Sequence, residues 1–243
     1  MSFLRALWRA LYFVFCSTKS LSIIIAHRLW KGPNLNYALH MRRLCLKRLL
    51  PALGIEIQLH GTLPNDQKGP CLLVGNHRSY LDPIIVLADI KALPVSKAEV
   101  AQWPLIGFAA KQTGILFVKR EKKSSRKKTL QAMKDMLQKG YSILLFPEAT
   151  TSAVGSKTLP LKPGAFRLAT ELNIPIIPFA IEYEYPQDAW IGDDTFVPHF
   201  FRCFGKKTTP IQIQYGPALN GTDPQELGEK ARRWIDARLD EWK

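Results

Sequence analysis

The sequence predicts an α/β fold, a mixed sheet flanked by helices, with an N-terminal membrane-associating helical segment. Three observations predict it. From residue 55 onward short apolar runs alternate with helical patterns, the texture of a layered α/β domain. Residues 1–55 hold nine Lys or Arg and not one Asp or Glu. Within that basic stretch, residues 3–16 (FLRALWRALYFVFC) are apolar nearly all round, far more than a duplex-binding arm needs. A length of 243 residues suits one α/β domain over residues 55–243 behind a helical segment over residues 1–54.

In the N-terminal segment Arg5 and Arg9 fall on one helical face at i, i+4 spacing. Arg9, Lys19 and Arg28 leave uncharged stretches of only nine and eight residues, against about 20 for a spanning helix. Interfacial embedding is therefore expected, with basic residues at headgroups and Trp8, Tyr12 and Trp30 at the interface. A single tilted span through residues 10–30 is the alternative. No small-residue cleavage site follows the apolar run, which argues against a signal peptide. Gly32-Pro33 breaks the helix, and residues 35–50 read as a second basic amphipathic helix with Arg42, Arg43, Lys47 and Arg48, closed by Pro51 and Gly54.

Six segments then read as strands: EIQLHG, CLLVG, GILFVKR, YSILLFPE, IPIIPFAIEY and IQIQYG. Residues 125–139 form a helix with Leu130, Met133 and Leu137 on one stripe, Ser124 or Ser125 as N-cap and Gly140 at its end. A second helix follows Pro163 through Leu172. A third runs from Pro224 to Trp242, opened by Asp223 with Glu226 three residues on. Residues 186–209 lack clean periodicity and read as an irregular excursion.

The net charge of +14 points to an anionic surface, nucleic acid or phospholipid. No zinc-finger spacing, RNP-like segment or basic heptad region is present, which excludes nucleic acid. The four cysteines are far apart with no CxxC pair, so no metal site is indicated and a reducing cytoplasmic setting fits. The seven basic residues between Lys119 and Lys128 read as a solvated loop and helix start.

NHRSYLD, residues 76–82, follows the strand CLLVG and precedes Pro83, so it is a loop at a strand end leading into a helix. On a regular helix His77 and Asp82 would point about 140° apart; they meet only if the loop turns. Alone, Asp82 reads equally well as an N-cap. Paired, a neutral His takes a proton from an attacking hydroxyl while the carboxylate orients it, and no serine nucleophile is needed.

This segment resembles the NHxxxxD signature of the glycerol-phosphate and lysophosphatidic acid (1-acyl-glycerol-3-phosphate) acyltransferases. Three further blocks occur in the family's order. Residues 96–120 resemble its second block, with Lys97, Glu99 and Arg120 at the matching positions. FPEATTS, residues 146–152, resembles FPEGTRS, and IPIIPFAI, residues 174–181, resembles the apolar fourth block.

The resemblance implies a membrane-associated acyltransferase that moves an acyl chain from a thioester, acyl-CoA or acyl carrier protein, to a lysolipid hydroxyl. The expected acceptor is 1-acyl-glycerol-3-phosphate, giving phosphatidic acid, and no cofactor is bound. His77 and Asp82 would be catalytic. Lys97, Arg120, Glu148, Thr150 and Lys162 would bind substrate, and the loop of Asn76, Arg78 and Ser79 would hold the oxyanion. Membrane phospholipids are the expected surroundings, at the cytoplasmic face of a bacterial inner membrane.

Two positions depart from the third block. Ala149 replaces Gly, and Thr151 replaces Arg, removing a full positive charge that Lys157 or Lys162 would have to supply. The second departure raises another lysolipid, such as lyso-ornithine lipid, as the acceptor. A non-catalytic lipid-binding membrane protein is the remaining alternative.

Overall fold

The structure, a computed structural model, describes residues 2–64, 68–103, 105–119 and 121–243. Its strands are β1 (Ile55–His60), β2 (Leu72–Gly75), β3 (Ala92–Lys97), β4 (Leu116–Val118), β5 (Ser142–Leu145), β6 (Ile176–Tyr183) and β7 (Thr209–Tyr215). Its helices are α1 (Ser2–Lys31), α2 (Leu35–Ala52), α3 (Asp82–Asp89), α4 (Ile106–Gln112), α5 (Lys123–Gln138), α6 (Gly164–Leu172), α7 (Phe196–Phe204) and α8 (Pro224–Glu241). The strands form one sheet in the order β1-β7-β6-β2-β5-β3-β4, mixed because β6 and β7 run antiparallel while the other neighbours are parallel.

Parallel strands covered on both faces must be apolar throughout, and every residue of β2 and β6 is buried. Successive β2 side chains serve opposite cores. Leu73 joins residues of α2, α3 and α7 on one face, while Leu72 and Val74 join residues of α5, α6 and α8 on the other. At the end of β2 only glycine fits, since a methyl group on Gly75 would lie 2.3 Å from the Phe179 ring.

The expected strands are all present, and β3 is a seventh that Pro94 hid from a propensity reading. The short helix α4 was not expected either. Residues 186–209 are more ordered than their composition suggested. They contain α7, whose His199, Phe200, Cys203 and Phe204 are buried at helical spacing. Helix α5 starts at Lys123 without a side-chain cap, because the Ser125 hydroxyl instead accepts from Lys119 N–H at 3.0 Å. Asp223 does cap α8, accepting from Gln225 N–H.

The N-terminal segment differs most from expectation in where its charges go. Helix α1 is one unbroken element of about 45 Å, long and apolar enough by length and composition to cross a membrane. Arg5 and Arg9 share a face, but it is turned inward. Arg5 donates to Gly205 O, and Arg9 to the carbonyls of Ala52, Phe204, Lys206 and Lys207. Helices end with unpaired carbonyls and a partial negative charge, and Arg9 meets the ends of both α2 and α7. In α2, Arg42 donates to Ala92 O and Thr113 O, and Arg43 to Ala88 O. Burial pushes the Arg42 guanidinium down to about 10. The outward side of α1 is apolar instead, with Leu4, Trp8, Leu11 and Phe15 more than half exposed.

Candidate active site

The parallel strands β2, β3 and β5 end on one side of the sheet, where ligand sites form in α/β folds. The loop after β2 carries His77, the end of β3 carries Lys97, and the turn after β5 carries Glu148 and Thr150. His77, Lys97 and Thr150 border a cavity of about 640 Å³. Its far wall is built by α1 and α2, with Phe13, Leu21, Leu46 and Leu49 among the lining side chains.

The loop does turn. His77 Nδ1 lies 2.7 Å from Asp82 Oδ2. The same oxygen accepts from the N–H groups of Arg78 (2.6 Å) and Ser79 (2.8 Å), while Oδ1 accepts from the Tyr183 hydroxyl at 2.7 Å. Asp82 is fully buried, and its carboxylate folds the preceding loop back on itself rather than capping the turn that follows. Surrounded by donors, it assigns the hydrogen to His77 Nδ1 and leaves the lone pair on Nε2. The imidazole stacks on Phe146 with centroids 4.1 Å apart and lines the cavity. A bare imidazole nitrogen facing a largely apolar cavity, backed by a buried carboxylate, can take a proton from a bound hydroxyl.

Other expected residues take different parts. Lys97, Glu99 and Thr150 line the cavity together with Thr151 and Glu121. Glu148 is turned away from it. Its Oε1 accepts from His77 N–H at 2.9 Å and its Oε2 from Leu159 N–H at 3.0 Å, so both oxygens expected to meet an acceptor hydroxyl hold the protein's own backbone. Burial pushes its carboxyl above the usual range, and those two amides pull it back.

Of the loop amides from Asn76 to Tyr80 expected to meet an oxyanion, that of His77 is committed to Glu148 and those of Arg78 and Ser79 to Asp82. The Asn76 side chain pairs with both backbone groups of Ile181. Arg78 points into the protein, where Nε and Nη2 grip Glu182 at 3.0 and 2.8 Å and Nη2 donates to Ser156 O at 2.6 Å.

Lys162 is exposed and Lys157 pairs with Asp240. Neither lines the cavity, because Thr158 is tied to Asp236 of α8 and draws this segment away. The charge missing at Thr151 is therefore not replaced from there. Arg120 lies outside the described residues.

Sequence reasoning missed Glu182, Tyr183 and the aromatic wall of Trp103, Trp190 and Phe196 around Tyr80. A charged residue at the end of an otherwise apolar strand, Glu182 in β6, was the available signal. Ala149 shows what the departure from glycine does, since its φ is +64°, where a Cβ is strained. Ala149→Gly is expected to stabilise the fold by about 0.5–1 kcal/mol once glycine's larger unfolded-state entropy is subtracted, raising Tm by about 1–4 °C. A lower Tm in differential scanning fluorimetry would show that the turn is not strained there.

A sequence model of the family described as Acyltransferase matches residues 56–182. The chain is 32% identical over 206 residues to the lyso-ornithine lipid O-acyltransferase of Pseudomonas aeruginosa, covering 82% of this chain and 78% of that protein. It is 31% identical over 180 residues to the 1-acyl-sn-glycerol-3-phosphate acyltransferase of Helicobacter pylori, covering 73% and 72%. Its fold matches the crystal structure of the 1-acyl-sn-glycerophosphate (LPA) acyltransferase from Thermotoga maritima with a TM-score of 0.76, over 100% of this chain and 98% of that one, at 18% sequence identity.

Proposed function

Since the chain belongs to the acyltransferase family, matched over residues 56–182, we propose that His77 is the general base that drives a lysolipid hydroxyl onto an acyl thioester. The observation that carries this is the 2.7 Å His77–Asp82 contact opening onto the 640 Å³ cavity. Nε2 removes the hydroxyl proton as the oxygen attacks the thioester carbonyl. The tetrahedral oxyanion collapses, the C–S bond breaks, and the imidazolium returns the proton to the departing thiolate. Asp82 stabilises the imidazolium in between. With the 77–79 amides committed, the oxyanion falls to groups on the facing turn, Thr150 and Thr151, held beside His77 by the 2.8 Å bond from Ser152 N–H to His77 O.

The acyl donor is acyl-CoA or acyl carrier protein, its chain running along the apolar wall of α1 and α2. Helix α1 touches the domain at Arg9 and Arg28 and α2 at Ser20, so it lies along the body of the protein. That supports embedding in one leaflet over crossing the bilayer, with membrane phospholipids against its apolar side, and the leaflet proposed is the cytoplasmic one.

For the acceptor, Thr151 brings no charge, and Lys97, Glu99 and Glu121 give the cavity rim both signs. A lysolipid whose headgroup carries both an amine and an anion, such as lyso-ornithine lipid, fits that rim. A second reading, 1-acyl-glycerol-3-phosphate, rests on Lys97 and on the matching position of Arg120. Purified protein given both acceptors with a radiolabelled thioester is expected to show kcat/KM about tenfold or more higher for lyso-ornithine lipid, about 1.4 kcal/mol of discrimination. The reverse order selects the second reading, and no transfer to any lysolipid overturns the function.

A further inference from the structure

We propose that Tyr183 is a positioning residue for acyl transfer, its hydroxyl fixing the rotation of the Asp82 carboxylate so that Oδ2 is presented to His77. The inference rests on the reading of His77 and Asp82 given above. The load on the two carboxylate oxygens is unequal. Oδ2 accepts from His77 Nδ1, Arg78 N–H and Ser79 N–H, while among the described residues Oδ1 accepts from Tyr183 alone. Both residues are shut away from solvent, at 0% and 2% exposure, so no water can stand in for a missing donor without repacking.

Tyr183 comes from β6, in the middle of the sheet beside β2, and the loop that bears His77 hangs from β2. The phenol therefore ties the loop that carries the dyad to a strand buried along its whole length. Burial and the adjacent carboxylate hold its hydroxyl protonated, so it donates to Asp82. The neighbouring Glu182 grips Arg78 in the same loop. Two successive residues of β6 thus hold the NHRSYLD loop, one through Arg78 and the other through Asp82.

Losing the phenol hydroxyl has two effects on the dyad. The carboxylate gains freedom to turn, which lengthens the contact to Nδ1. It also attracts the hydrogen on Nδ1 more strongly, since one competing donor is gone, and this favours the imidazolium. The first effect lowers kcat. The second moves the acidic limb of kcat/KM upward, because that limb reports protonation of the dyad.

Tyr183→Phe is expected to lower kcat by about tenfold or more, the scale of a hydrogen bond to a charged group. Both KM values should stay within about twofold, and the acidic limb should rise by about half a pH unit. In an Asp82→Asn background the same change is expected to cost nothing further, since the hydroxyl acts through the carboxylate. Site-specific 3,5-difluorotyrosine at 183 keeps the ring and the fold while donating more strongly, and should move the limb downward. Wild-type activity with an unmoved limb in both variants, or losses that multiply in the Asp82→Asn background, would remove this role from Tyr183 alone. A wild-type protein inactive on every acceptor would take the functional reading down, and this one with it.

Discussion

His77→Ala is expected to lower acyl transfer by about a thousandfold on purified protein with a radiolabelled donor, while flotation with anionic vesicles stays unchanged. General-base catalysis contributes about 10²–10⁴ in rate, and among the described residues lining the cavity His77 is the base that a buried carboxylate orients. Lys97 is a cation, and Glu148 is buried with both oxygens occupied. The substitution should spare the fold, because the imidazole is held by its stack on Phe146 and by Asp82, whose remaining oxygen and amides keep their partners. Turnover within about tenfold of wild type would show that the hydroxyl is deprotonated elsewhere.

Arg78→Ala is expected to destabilise the protein by about 3–5 kcal/mol, the usual cost of breaking a buried ion pair from one side. Arg78 has no exposed surface. Its removal leaves Glu182 as a buried carboxylate whose remaining partners include the N–H groups of Gly155 and Tyr183, and it strands Ser156 O. Against a total stability of about 5–15 kcal/mol this is a large fraction, read as a lower urea midpoint at an unchanged slope. A loss under about 1 kcal/mol would mean that Glu182 finds other donors or water.

Much of the fold was legible because fully buried parallel strands leave continuous apolar runs, as CLLVG and IPIIPFAIEY do. The elements that were missed are short or interrupted. Strand β3 holds a proline, and α7 spans nine residues among prolines and aromatics. His77 and Asp82 were legible as a pair only through the four ordered blocks, since their spacing alone suits a cap. Side-chain direction was not legible at all. Glu148 looked like a ligand for substrate and faces the backbone. The arginines of α1 and α2 looked like headgroup ligands, but Arg9, Arg42 and Arg43 answer the unpaired carbonyls where other helices stop. A composition reading counts charges without knowing that helix ends elsewhere in the chain compete for them.

That competition bears on engineering. An amphipathic leader is usually treated as a handle to be clipped off for a better-behaved soluble fragment. Here residues 2–31 supply one wall of the reaction vessel, through Phe13, Leu21 and Ile24, and the plug for four carbonyls through Arg9. Clipping them would breach the vessel and uncork two helix ends at once, so this leader cannot be exchanged for another without rebuilding the pocket behind it.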